Sequence, residues 1–199
     1  EDAENRKEFT FDQLQELRSI KAGRSSEVVW LIHLMLETGM RINECCGLRK
    51  DDVTLDGNTP YLRINKNPFR RLKTKQSKRF IPLVGVALEA VKEATETNGD
   101  GWLFPAYIDT DKKESKNTNA SAAINKRIKS VLGEDAATCH GFRHTMQTRL
   151  RQASCPKDIR DELGGWSKSI SDQYGSTADI ENKARYLNDV IALKHRQGV

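Results

Sequence analysis

Two short stretches near the C-terminal end hold the side chains best suited to chemistry. One is Cys139-His140-Gly141-Phe142-Arg143-His144-Thr145; the other is Leu163-Gly164-Gly165-Trp166, with Tyr174 eight residues beyond the tryptophan. A third piece lies far upstream, Arg41 in Thr38-Gly39-Met40-Arg41-Ile42-Asn43-Glu44. Two arginines, a histidine, an indole and a phenol in this order are suited to holding a phosphodiester while a tyrosine attacks it. A phosphodiester under attack gathers charge on its non-bridging oxygens, so its catalyst needs fixed positive donors. The planar fork of arginine gives two parallel charge-assisted hydrogen bonds and keeps its proton. Arg143 follows His140 by three residues, so both project from one turn if the segment opens a helix. Tyr174 is the candidate nucleophile. Its phenol, with an ordinary pKa of about 10, needs guanidinium charge nearby and an acceptor such as His140 for its proton. The leaving oxygen needs a proton in return, which Lys73 or Lys75, in Leu72-Lys73-Thr74-Lys75, can deliver from a flexible hairpin. Trp166 can shape the pocket and donate its indole N–H to a phosphate oxygen.

Each of these pieces has a bland reading by itself. An HxxR pair arises readily by chance, Arg41 fits a surface position, and Trp166 fits a core anchor. The ordered set carries the argument, and the charge distribution supports it. The net charge is +5, yet the segment from Arg63 to Arg79 alone carries +8 and no acid, which leaves −3 for the rest of the chain. Basic charge this local suits a groove that meets a polyanion. Arg63, Lys66, Arg70, Arg71, Lys75, Lys78 and Arg79 are therefore the candidate contacts to such a polyanion, which the resemblance described below implies is DNA. The four cysteines form no CxxC pair, which fits a reducing compartment. No apolar run approaches the length of a membrane span, and the charged first residues lack a signal-peptide core.

The elements that must position these residues are legible in outline. Thr10 caps a short helix from Phe11 to about Ile20. Val28 to Leu36 is apolar on nearly every side, which predicts a central buried helix stopped by Gly39, with His33 as a satisfied core histidine. A second short helix covers Ile42 to about Leu48, and Asp51 to Pro60 is turn-rich. Tyr61–Ile64 and Arg79–Leu83 read as strands of a hairpin. Helices follow over Val84–Thr97, Ala120–Leu132, Gly141–Ala153, Pro156–Leu163 and Asp179–Arg196, with a polar mobile loop expected from Asp109 to Asn119. The fold class is α+β: mainly α with one small antiparallel sheet.

The order of these boxes resembles the tyrosine recombinases, also called phage integrases, over nearly the whole chain. ETGMRINECCGLRKDDV is similar to the first box of that family, with Arg41 as its first arginine and Glu44 as the supporting acid. LKTKQSKRFIPL is similar to the lysine hairpin, HGFRHT to the HxxR box, LGGWS to the position of a His or Trp, and DQYG to the nucleophile segment. The Trp166–Tyr174 interval is eight where the family usually has nine. The Lys-Thr pair favours Lys73 over Lys75.

The resemblance implies the catalytic-domain fold of these DNA breaking-rejoining enzymes. It implies a set of Arg41, Lys73, His140, Arg143, Trp166 and Tyr174, with Glu44, His144 and Lys75 in support. Tyr174 would form a 3′-phosphotyrosine, and a 5′-hydroxyl would then resolve it. One ester replaces another, so no cofactor is implied. His144 lies four residues after His140, but Gly141 stands where a zincin motif has Glu, so no metal is expected either. Residues 1–8 are expected to tether a preceding DNA-binding domain, and residues 9–199 to form the catalytic domain. The expected partners are double-stranded DNA, three further copies in a tetramer on DNA, and an accessory DNA-bending protein; the isolated domain should be a monomer. The last helix should dock either on its own core or on a neighbouring copy. The expected setting is the nucleoid of a bacterial cytoplasm, and the reaction integration or excision of a mobile element. The alternatives are relaxation of DNA in the manner of a type IB topoisomerase, or a DNA-binding module that has the fold without the activity.

Overall fold

The computed structural model describes residues 7–23, 27–70, 78–99, 101–166 and 179–193. Lys73, Lys75, Arg71 and Tyr174 lie outside these residues.

Thr10 opens α1 (Phe11–Arg18) with a complete capping box, its hydroxyl accepting from the Gln13 N–H while the Gln13 side chain accepts from the Thr10 N–H. α2 (Glu27–Thr38) is buried from Val29 to Thr38, as its all-round apolar sequence requires. Each fully buried Leu or Ile there contributes about 1.5–3 kcal/mol. His33 is a core histidine, its Nε2 3.1 Å from the Leu17 carbonyl. Gly39 ends α2 at φ +62°, a conformation that favours glycine.

α3 (Ile42–Cys46) follows at once, and then a three-stranded antiparallel sheet in the order β1 (Val53–Thr54), β2 (Tyr61–Ile64), β3 (Arg79–Pro82). The register pairs Ile64 with Arg79 and Leu62 with Ile81. Two-residue periodicity therefore sends Arg79 and Ile81 to the core face. β1 lies in the stretch expected to be turn-rich; it is too short to carry a periodic signal.

α4 (Gly85–Thr97) packs along α2, and Leu103 and Phe104 seal the core behind it. The loop expected over 109–119 is instead a second two-stranded sheet, β4 (Ile108–Asp109) with β5 (Glu114–Ser115), and α5 (Asn117–Leu132) begins three residues earlier than its apolar pattern. The Ser115 hydroxyl holds this hairpin to α3, 2.6 Å from Asn43 Oδ1.

α6 (Gly141–Gln152) crosses α2 at Gly39. A methyl group at position 39 would lie 2.8 Å from Met146 Cβ, so this glycine permits both the turn and the close approach. Lys7 and Glu8, expected within a tether, are held against the rest of the chain: Lys7 Nζ donates to the Asp135 carbonyl, and the Thr148 hydroxyl to Glu8. Phe9 stacks on Phe142 at 4.5 Å.

α7 (Lys157–Gly164) and α8 (Ile180–Ala192) build a second apolar cluster with Val84, Met146 and Leu150. α8 buries Ile180, Ala184, Leu187 and Val190, so over its described length it docks on its own chain. Lys183, also buried, reaches Glu162 of α7 at 2.7 Å.

Candidate active site

The site grows from the turn after α2. Gly39 reverses the chain, and Arg41 sits at the N-cap of α3 in extended conformation. Such a position leaves helix N–H groups without partners. Glu44, three residues on, answers this: its Oε2 accepts the Arg41 backbone N–H at 3.0 Å. The same carboxylate accepts from the Arg41 side chain at 3.3 Å, which fixes the guanidinium beside the helix start. Arg41 remains a third exposed and Glu44 is buried. The support expected of Glu44 is thus local capping and a salt bridge together.

Arg143 approaches the same turn from α6. Its Nη1 donates to the Gly39 carbonyl at 3.2 Å, and its Nη2 to the Gly164 carbonyl at 2.7 Å. The two arginines, a hundred residues apart in sequence, therefore share one corner of the molecule. His140 is exposed at the cap position just before α6, as HxxR spacing predicts. Its turn is clamped by α5, where Asn125 Oδ1 accepts the Cys139 N–H at 2.8 Å. The Cys139 thiol lies 3.8 Å from His140 Nδ1.

Trp166 closes one side. Gly165, at φ +61°, turns the chain so that the Trp166 N–H returns to the Asp161 carbonyl at 2.9 Å. The indole then lies against Gly164 and over the Arg143 guanidinium, 4.8 Å from its carbon, a cation–π contact. A methyl group at position 164 would clash with the indole ring.

The electrostatics follow from three cations around one acid. Burial alone would raise the Glu44 pKa, but the Arg79 and Arg41 charges and hydrogen bonds hold it near 2. Burial, then the charges of Arg41 and Arg79, press Arg143 down to about 9 against the pull of Glu44, so it is still cationic at neutral pH. A desolvated cation beside two others favours the arrival of an anion.

Two expected DNA contacts turn inward. Arg70 is fully buried; its Nη1 donates to Asp52 at 2.9 Å and to the Gly47 carbonyl, and its Nε to the Asn65 carbonyl. It braces the loop after β2 and offers no face to DNA. Arg79 is 6% exposed and forks onto Glu44. Its place beside Ile81 on alternate positions of β3 is the signal that could have shown it facing the core. Arg63, Lys66 and Lys78 are exposed, as expected of surface cations. His144, expected as a support, is exposed on α6.

Residues 7–176 match the phage integrase family. The chain is 29% identical over 177 residues to the tyrosine recombinase XerC of Neisseria meningitidis serogroup B, covering 84% of this chain and 53% of that protein. It is 23% identical over 194 residues to the tyrosine recombinase XerA of Thermococcus onnurineus, covering 93% of this chain and 65% of that protein. The chain thus spans about half to two thirds of the length of these relatives. Among solved structures, the integrase from mycobacterium phage Brujita aligns over 96% of this chain and 60% of its own, with a TM-score of 0.70 at 14% identity. The XerH site-specific recombinase bound to difH substrate in a pre-cleavage complex aligns over 91% of this chain and 49% of its own, with a TM-score of 0.59 at 20% identity.

Proposed function

The chain belongs to the phage integrase family, and from that premise we propose that it is the catalytic part of a site-specific tyrosine recombinase. One observation carries the reading: Arg143 donates to the Gly39 carbonyl, two residues before Arg41, whose own guanidinium is paired with Glu44, so both guanidinium groups stand at one turn. That arrangement offers guanidinium N–H groups to an anion from two directions.

In the proposed reaction, a scissile phosphate of double-stranded DNA lies against Arg41 and Arg143. Their charge offsets what builds on its non-bridging oxygens. Tyr174 Oη attacks phosphorus as His140 accepts its proton. The phosphorus–O5′ bond breaks, and Lys73, with Lys75 as the second candidate, protonates the departing oxygen. A 3′-phosphotyrosine and a free 5′-hydroxyl result. A 5′-hydroxyl from a partner strand then attacks the phosphotyrosine, which restores the phenol. Trp166 holds Arg143 from above and keeps its fork aimed. Four copies would act together on DNA, with a preceding domain completing the grip and an accessory DNA-bending protein in support. The proposed setting is the bacterial nucleoid, and the role integration or excision of a mobile element.

A nicked suicide substrate tests the reading. The wild-type chain should yield a covalent DNA adduct that survives SDS, and Tyr174→Phe should yield none. A salt-sensitive gel shift with no wild-type adduct would instead identify a DNA-binding module.

A further inference from the structure

We propose that Arg79 is a positioning residue of this active site, acting through Glu44 on Arg41 and through the end of α7 on Arg143 and Trp166; the proposal rests on the reading above. Arg79 is a charged side chain on the core face of a strand, which is costly unless every donor is used. Its guanidinium makes a fork–fork pair with Glu44, Nη1 to Oε1 at 3.0 Å and Nη2 to Oε2 at 2.9 Å, with both side chains more than nine-tenths buried. Its Nε points the other way and donates to the Leu163 carbonyl at 2.9 Å.

Each contact leads to a member of the anion cradle. The Glu44 oxygens that Arg79 holds are the ones that accept the Arg41 backbone and side chain. Leu163 directly precedes Gly164, whose carbonyl Arg143 grips, and Gly164 lies beneath the Trp166 ring. Adjacent carbonyls at the C-terminal end of α7 are thus held by two different arginines. Those carbonyls have no partner within their helix and carry its partial negative charge, so cations there are stabilising. Arg79 bonds to both halves of this arrangement. It fixes the separation between the turn bearing Arg41 and the turn bearing Trp166, while Arg143 spans the gap between them.

The chemistry requires arginine at this position. A lysine ammonium cannot span two carboxylate oxygens and a carbonyl on the far side at once. Without the fork, Glu44 would keep only Arg41 among these partners and draw that guanidinium inward, away from a phosphate. The phosphate would still bind through other contacts, but its reacting atoms would be misaligned. A misplacement of about 1 Å can cost about a hundredfold in rate.

The test uses this chain with Arg79→Met and Arg79→Lys on the nicked suicide substrate. Adduct formation is followed in single turnover at saturating DNA, and its rate constant is separated from its amplitude. DNA affinity is measured across salt concentrations, and folding by thermal unfolding. The expected result is a rate constant roughly 100-fold lower for Arg79→Met and roughly tenfold lower for Arg79→Lys. Affinity should stay within about threefold of wild type, and the salt slope should not change. A merely structural role would lower the amplitude, as molecules unfold, and leave the rate constant of the remainder intact; that result overturns the proposal. If Arg79→Met fails to fold, Arg79→Lys decides, and a wild-type rate constant in it also overturns the proposal. A salt slope reduced by about one with an unchanged rate constant would make Arg79 a phosphate contact, with the same consequence. A wild-type chain that forms no adduct sinks the proposed function and this inference together, whereas a wild-type adduct with unimpaired Arg79 variants sinks the inference alone.

Discussion

Two sets of cations in this molecule look alike in composition and differ in every physical respect. Arg41, Arg79 and Arg143 surround the buried Glu44, and each is anchored by hydrogen bonds to named acceptors. Arg63, Lys66 and Lys78 stand in solvent. In the first set Arg79 and most of Arg143 are desolvated, so their charges act at short range and are little screened by salt, while Arg41 stays a third exposed. The second is hydrated, so under the proposed function its charges would add to DNA attraction without aligning the reacting groups. One basic stretch of sequence feeds both sets. Arg70 and Arg79 belong with the interior, while Arg63, Lys66 and Lys78 belong with the surface. Positive charge in a chain therefore says little about use until burial is known.

The largest expected effect breaks the interior set. Arg143→Ala removes a proposed phosphate donor and takes away the arginine that grips the Gly39 and Gly164 carbonyls. Adduct formation on the suicide substrate should fall by roughly 10²–10³-fold. Gly39→Ala comes next. It forces an L side chain to φ +62° and into Met146, so it should lower Tm by roughly 2–12 °C in a thermal melt. Adduct formation should fall with it, because the Gly39 carbonyl holds Arg143.

The third prediction concerns pH. The Glu44 carboxyl titrates near 2 in the folded chain against an ordinary 4.5. The unfolded chain therefore binds the extra proton first as pH falls. The stability that Glu44 contributes is fully present above about 4.5 and is lost as pH drops toward 2. Denaturant titrations across that window should show a steeper loss for wild type than for Glu44→Gln, which should already be less stable at neutral pH.

The smallest effect sharpens the contrast from the other side. Arg63→Ala, Lys66→Ala and Lys78→Ala should each weaken DNA binding modestly and reduce the salt slope by up to about one. None should change the adduct rate constant at saturating DNA. Arg70→Ala should do the reverse, lowering Tm while the salt slope stays at the wild-type value.

Much of the fold was legible because it rests on local rules. The Thr10 cap, the apolar α2, the Gly39 stop and strands β2 and β3 all appear where spacing and residue type put them. The β4–β5 hairpin was not, since two-residue strands carry no alternation, and its polar residues read as a loop. At the site, the HxxR spacing placed His140 and Arg143 at the start of one helix, as found.

The sequence by itself determined which chemical groups are available, and in what order. It also determined the helix starts and stops, because caps and glycines act within a few residues. Only the tertiary structure decided which cations are desolvated, and that Arg79 and Arg143 grip neighbouring carbonyls at the end of one helix. The reason is range. A cap is set by partners three residues away, whereas the burial of Arg79 depends on Glu44, 35 residues earlier, and on Leu163, 84 residues later.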